Sequence, residues 1–165
     1  MDAKSPKALT VTLPSDREIA FTRVFDAPRE LVWKAWTDPK HRANWYGCGL
    51  MTLVACEIDL RVGGAYRFVM RSQDGEEFSM SGGYREVVAP HRLVYTERFN
   101  DDPNKEALVT FTLEEHRGKT TLRMIARYRS AADTRAVLQL GVEHGWTESL
   151  DRLDGVLRAM EARAA

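Results

Sequence analysis

Cysteine is scarce in this 165-residue chain: Cys48 and Cys56 are the only two. Two are too few for a disulfide framework. One bridge stays open, but free buried thiols are the expected state. Long apolar runs are missing as well. The opening residues, MDAKSPKALTVTLPS, read as neither a signal peptide nor a membrane span, so a cytoplasmic protein is the default expectation. Charge of one sign is not in excess: 24 basic residues face 24 acidic ones. A nucleic-acid binder needs a basic surface to displace counterions from phosphates, so no nucleic-acid partner is expected.

Catalytic and ligating motifs are also missing. His41, His91, His116 and His144 are scattered, and no CxxC or HExxH occurs, so no metal is expected. Cys48 lies seven residues from His41, and the two read as ordinary residues. Gly63-Gly64 and Gly82-Gly83 are the only glycine pairs. Neither makes a phosphate loop before a helix, and no cofactor is expected. Ser79 and Ser81 are not in a GxSxG elbow, which leaves a hydrolase triad unsupported.

What is present is a change of period. Met1 to about Asp16 is polar with two prolines and reads as a loose lead-in to a single domain over 17–162. Ile19–Phe25 alternates as a strand. DAPRELVWKAW then opens a helix with Pro28 in its first turn and Leu31, Val32, Ala35 and Trp36 on one face. Asp38 can cap a second short helix with Pro39 at its first position, carrying Trp45 and stopping near Gly47. From Met51 to Tyr128 the period is two. Strands are predicted at Thr52–Leu60, Ala65–Ser72, Glu77–Val88, Arg92–Phe99, Lys105–Glu114 and Thr120–Tyr128. The breaks between them are too short for parallel crossovers, so the strands form an antiparallel meander. From Ala131 to near Met160 the period returns to 3.6. Leu138, Val142, Trp146, Leu150, Leu153, Leu157 and Met160 make one stripe on a rod of roughly 40 Å. That stripe needs a long apolar partner, and the meander is the candidate.

This order, together with local strings, resembles the START-like (SRPBCC) superfamily. The nearer likeness is to the C-terminal domain of the heat-shock-protein-90 ATPase activator. The strings are FTRVFDAPRELVWKAWTDP at Phe21–Pro39, Trp45-Tyr46-Gly47, EIDLRVGGAYRFVM at Glu57–Met70, DGEEFSMSGGYREVVAPHRLVYTE at Asp74–Glu97 and GWTESLDRLDGVL at Gly145–Leu157. The resemblance covers about Ile19 to Leu157. It implies an α+β helix-grip fold: a curved antiparallel sheet of about seven strands wrapped around the C-terminal helix, with a cavity closed by the two short helices. It does not imply one chemistry, because members of the superfamily carry lipids, bind polyketides or hormones, act as cyclases or bind proteins. Only a short polar lead-in stands before the first strand, which weighs against chaperone stimulation.

The informative anomalies are charges that alternate onto apolar faces. Glu97 shares a face with Leu93, Tyr95 and Phe99, and Arg23 with Ile19, Phe21 and Phe25. A buried carboxylate is costly unless paired. Glu97 is therefore either an ion-paired or solvent-reaching strand end, the more favoured reading, or a polar anchor or general acid/base in a cavity, with its pKa raised by desolvation. Glu57 and Asp59 alternate opposite Val54, Cys56, Ile58 and Leu60 and read as a solvated outer face. Gly82-Gly83 marks either a bulge that bends the sheet, the preferred reading, or a close backbone approach. His144 falls off the Trp146 stripe. Gly141 and Gly145 could mark a self-association surface or room for a bound molecule.

The candidate ligand-binding set joins Trp45, Phe68, Met70 and Met80 to Tyr84, Tyr95 and Glu97, and then to Phe111, Met124, Val142 and Trp146. Methionine-rich walls adapt to different shapes. The expected partner is a hydrophobic or amphipathic small molecule, and the expected assembly a monomer or homodimer. An enzyme of the same fold (cyclase, dehydratase or hydrolase) and a chaperone-associated interaction module are the alternatives.

Overall fold

The computed structural model describes residues 8–47 and 49–164; Cys48 and the first seven residues of the lead-in lie outside them. Among the described residues, eight antiparallel strands form one curved sheet, accompanied by four α-helices. The expectation was seven strands. The eighth is β1 (Thr10–Ser15), which pairs with β2 (Glu18–Phe25) through Val11↔Phe21 and Thr12↔Ala20. The lead-in is thus partly a strand. Its prolines obscured this, yet Pro14 is tolerated because β1 is an edge strand, where a missing N–H breaks no ladder bond. Ile19, Phe21 and Phe25 of β2 point into the core.

Helix α1 (Arg29–Thr37) buries Val32, Ala35 and Trp36 along one face. Asp38 caps α2 (Pro39–Arg42) as expected, accepting the Lys40 N–H at 2.9 Å, with Pro39 at the first position. The helix is shorter than expected. Trp45 sits in the turn after it, tied by its indole N–H to the Ala35 carbonyl at 2.9 Å. The meander follows as β3 (Thr52–Ile58), β4 (Ala65–Arg71), β5 (Glu77–Val88), β6 (Arg92–Phe99), β7 (Glu106–His116) and β8 (Lys119–Arg127). Its sheet order is β1-β2-β8-β7-β6-β5-β4-β3. Because β2 pairs with β8, α1 and α2 must carry the chain from one side of the sheet to the far edge at β3. That path places them over the concave face. One face assignment is corrected: a register irregularity between Leu53 and Ala55 leaves Val54 exposed on β3.

The single rod expected from Ala131 onward is two helices. Helix α3 (Ala131–Gln139) is capped by Ser130, whose hydroxyl accepts the Asp133 N–H at 3.1 Å. Gly141 adopts φ +79°, the left-handed conformation that ends a helix, and α4 (Val142–Ala164) starts anew. Leu138 of the stripe therefore belongs to α3. Leu150, Leu153, Leu157 and Met160 of α4 are buried against the sheet side, whereas Val142 and Trp146 at its front are half-buried. His144 is exposed and pairs with Glu148 at 2.8 Å.

Candidate functional site

The concave face gathers aromatic rings around one cation. Arg42 ends α2, and the chain continues helically enough that the Trp45 and Tyr46 N–H groups both donate to its carbonyl, at 3.3 and 3.0 Å. The side chain is thereby laid against the rings that follow it. Its Cζ stands 4.5 to 4.8 Å from the ring centres of Phe68, Trp36, Tyr46 and Trp45. Ring faces attract a guanidinium, and here they enclose it: Arg42 is 6% exposed. One terminal nitrogen donates to the Trp36 carbonyl at 3.1 Å. Its Nε is buried and has no hydrogen-bond partner among the described residues.

Beside this cation is a small chamber lined by Trp36, Arg42, Tyr66, Phe68, Tyr84, Leu93, Tyr95 and Glu97. Its volume is about 10 Å³, near the least that admits one water. The roomy cavity implied by the resemblance is thus nearly closed. Glu97 keeps part of its surface, yet desolvation pushes its carboxyl up to about 7, against the opposing pull of Arg42. Burial likewise pushes Tyr84 up to about 12, and Tyr66, Tyr95 and Tyr128 upward as well. Those hydroxyls stay protonated at neutral pH. Burial also raises the free, half-buried Cys56 thiol, which makes it an unreactive one.

β4 and β6, which carry Tyr66 and Glu97, flank β5, and Tyr66 reaches across β5 at Gly82. The Tyr66 hydroxyl donates to the Thr96 carbonyl at 2.7 Å, and the Gly83 N–H donates to the Thr96 hydroxyl at 3.0 Å. A Cβ at Gly82 would meet the Thr96 oxygen at 1.7 Å. Gly82 therefore serves a close backbone approach, and the bulge that bends β5 lies further on, between Tyr84 and Glu86.

On the outer face of β4–β6 is a larger, open recess of about 540 Å³. Most of its charges are paired: Arg67 and Ser81 hold Asp101 at 3.0 and 2.9 Å, and Arg98 holds Glu106 at 2.6 Å, while Glu57 stands exposed at its edge. The unspent chemistry is inside. Among the described residues, no cluster of three or more His, Cys, Asp or Glu is placed to hold a metal.

Of the candidate residues, Phe68, Tyr84, Tyr95 and Glu97 line the chamber. Trp45, Phe111 and Met124 are packed core instead, with Trp36 stacked 4.6 Å from Phe111 and tilted against Trp45 at 4.9 Å. Trp146 closes the far side of Trp36 at 5.9 Å, nearly parallel to it, and Val142 stands one turn before it. Met70 lies beside Gly47 and Met80 opposite Phe68 on β5, both outside the chamber lining. Arg23 is buried on β2 and pairs with Asp151 of α4 at 2.6 Å, a structural tie between sheet and helix. Glu57 is exposed on the outer face. Arg42 was not foreseen. The available signal was its spacing of three and four before Trp45 and Tyr46, which stacks side chains when the turn is helical.

A polar clasp holds the loop after α2 to α4. Ser149 donates to the Gly47 carbonyl at 2.6 Å and accepts its N–H at 3.2 Å, while Arg152 donates to the Gly47 and Gly49 carbonyls at 3.1 and 2.9 Å.

Residues 26–158 match the family model described as Activator of Hsp90 ATPase homolog 1-like protein. A crystal structure of a Rhodobacter sphaeroides protein is 27% identical with a TM-score of 0.86, covering 92% of this chain and 99% of its own. A Mycobacterium smegmatis protein, Ms6760, is 25% identical with a TM-score of 0.81, covering 90% and 96%. An AHSA1-like protein from Aeromonas hydrophila is 25% identical with a TM-score of 0.70, covering 87% and 94%. No curated protein matches the sequence.

Proposed function

This chain belongs to the family of Activator of Hsp90 ATPase homolog 1-like proteins, and from that premise we propose that it binds a hydrophobic or amphipathic small molecule between the sheet and α4. The observation that carries the reading is Arg42, a buried guanidinium that lines an aromatic chamber and whose Nε–H has no hydrogen-bond partner among the described residues. A core built only for stability does better with apolar residues of the same size, because a desolvated charge is costly. Ligand sites have the opposite pattern: apolar and aromatic walls with a few convergent polar groups.

The closed chamber is far smaller than the several hundred Å³ of a drug-sized site. Binding therefore requires its walls to yield. The front of α4 borders those walls through Trp146, which lies 5.9 Å from the chamber residue Trp36. Val142 and Trp146 are half-buried there, and Gly141 separates them from α3. Association should accordingly be slower than to a preformed site, because a conformational change must accompany it.

The test is a titration with fatty acids, flavonoids and polyketides, followed by tryptophan emission, since Trp36 lines the chamber and Trp146 stacks against Trp36. A saturable change is expected with at least one class. Flat titrations across the whole panel, with unshifted chamber resonances by NMR, would refute the reading.

One observation favours a catalytic variant of it. A carboxyl held near 7 suits proton transfer at neutral pH. In that case Glu97→Gln abolishes turnover of a bound substrate while binding persists.

A further inference from the structure

Resting on the reading of the chamber as a ligand site, we propose that it selects acids: its ligand is a planar apolar molecule carrying one carboxylate, which accepts the Nε–H of Arg42 while Glu97 takes up a proton.

Arg42 cannot shed its charge, because guanidinium stays protonated in proteins. Four ring faces hold it at 4.5 to 4.8 Å. Rings attract a cation through their quadrupole but carry no net charge, so the positive charge remains uncompensated. The Nε–H is buried without an acceptor. A carboxylate is the acceptor whose charge and geometry match a guanidinium edge. The walls Trp36, Phe68, Tyr84 and Tyr95 are flat rings, which suits a flat apolar body.

Glu97 lines the same chamber and is the rival for that cation. The titratable groups around it are Arg42 from α2, Tyr66 from β4, Tyr84 from β5, Tyr95 from its own strand and Tyr128 just past β8. The tyrosines are neutral throughout the physiological range, so Arg42 is the one opposing charge among these. With Glu97 neutral, the chamber carries one positive charge and an incoming carboxylate neutralises it. With Glu97 ionised, the same ligand would leave two carboxylates sharing one cation in a desolvated space, and like charges at such a site disfavour double ionisation. Acid binding and protonation of Glu97 are therefore coupled. A neutral ligand of the same shape has no such coupling.

The experiment is isothermal titration calorimetry of the full chain with 2-naphthoate and its neutral analogue 2-naphthamide. Titrations run from pH 5.5 to 9, each in two buffers of different ionisation heat to count protons. Naphthoate should bind more tightly than the amide below pH 7. It should then weaken by roughly tenfold per pH unit above the Glu97 pKa, about 50-fold between pH 7 and 9, with close to one proton taken up at the upper end. The amide should be indifferent to pH. Glu97→Gln should bind naphthoate at pH 9 as tightly as the wild type does near pH 6, without proton uptake. Arg42→Leu should lose naphthoate and keep the amide. If Arg42→Leu fails to fold, the Glu97→Gln profile decides alone. Equal, pH-independent affinity for acid and amide would overturn acid selection and leave the chamber as an apolar ligand site. Failure of both probes, alongside flat titrations with the wider panel, would overturn the chamber reading itself.

Discussion

Replacing Glu97 with glutamine separates two physical pictures of the same carboxyl. In one, Glu97 is the ion-pair partner of Arg42 and stabilises the fold when ionised. In the other, desolvation outweighs Arg42, and the charge is a burden. The structure supports the second: desolvation raises the carboxyl from 4.5 to about 7, and Arg42 only partly offsets it. The sign follows from proton counts. Between these values the native state holds a proton that the unfolded chain has released, so stability falls as pH rises across that interval and is level outside it. At about 1.36 kcal/mol per pH unit the ceiling is ~3.4 kcal/mol. Glu97 keeps part of its surface in water, and screening there reduces the expected effect to ~2 kcal/mol. Urea unfolding of wild type and Glu97→Gln at pH 4.5 and pH 8.5 measures it. The difference between the two proteins at one pH, subtracted from that at the other, cancels every other titrating group. The variant should gain ~2 kcal/mol on the wild type from low to high pH. No gain would show that Glu97 is solvated. A loss would show the ion pair, and would refute the account of the chamber as a place with an uncompensated cation.

Three further perturbations test the surrounding architecture. Gly82→Ala should cost about 3 kcal/mol or more, because the new Cβ meets backbone, the Thr96 oxygen. Gly83→Ala meets only the Gly64 oxygen at an ordinary 3.6 Å and should change stability by no more than about 1 kcal/mol; denaturant midpoints of the pair give the comparison. Ser149→Ala removes both bonds to buried Gly47. A loss of about 1–3 kcal/mol is expected, with faster amide exchange in the loop before β3. Asp151→Asn strands the buried Arg23 charge, whereas Arg23→Met removes it. Thermal melts should show the aspartate variant as the less stable of the two, and equal melting temperatures would contradict that account.

Much of the architecture is a matter of period and punctuation, and both are local. The bounds of β5 and β6 coincide with the alternating runs, because a strand with one buried face must repeat every second residue. Asp38-Pro39 starts α2 through chemistry confined to three residues. The break at Gly141 was also written locally, but an unbroken stripe across it mimicked one rod: leucine, valine and tryptophan at Leu138, Val142 and Trp146 keep helical spacing through the turn. β1 was hidden for a different reason. An edge strand buries little, so its sequence need not look like a strand, and only pairing with β2 makes it one.

The site divides along the same line. The sequence alone determined that Glu97 must turn toward an apolar face, since alternation along β6 dictates side-chain direction whatever the rest of the chain does. It could not determine whether that face meets water, a counter-ion or a void, because this depends on α2, forty and more residues away. Only the tertiary structure laid Arg42 among Trp36, Trp45, Tyr46 and Phe68, and only it left the Nε–H without an acceptor. Desolvation and Coulomb forces act through space, on whichever atoms folding brings near, and no spacing along a chain encodes their balance.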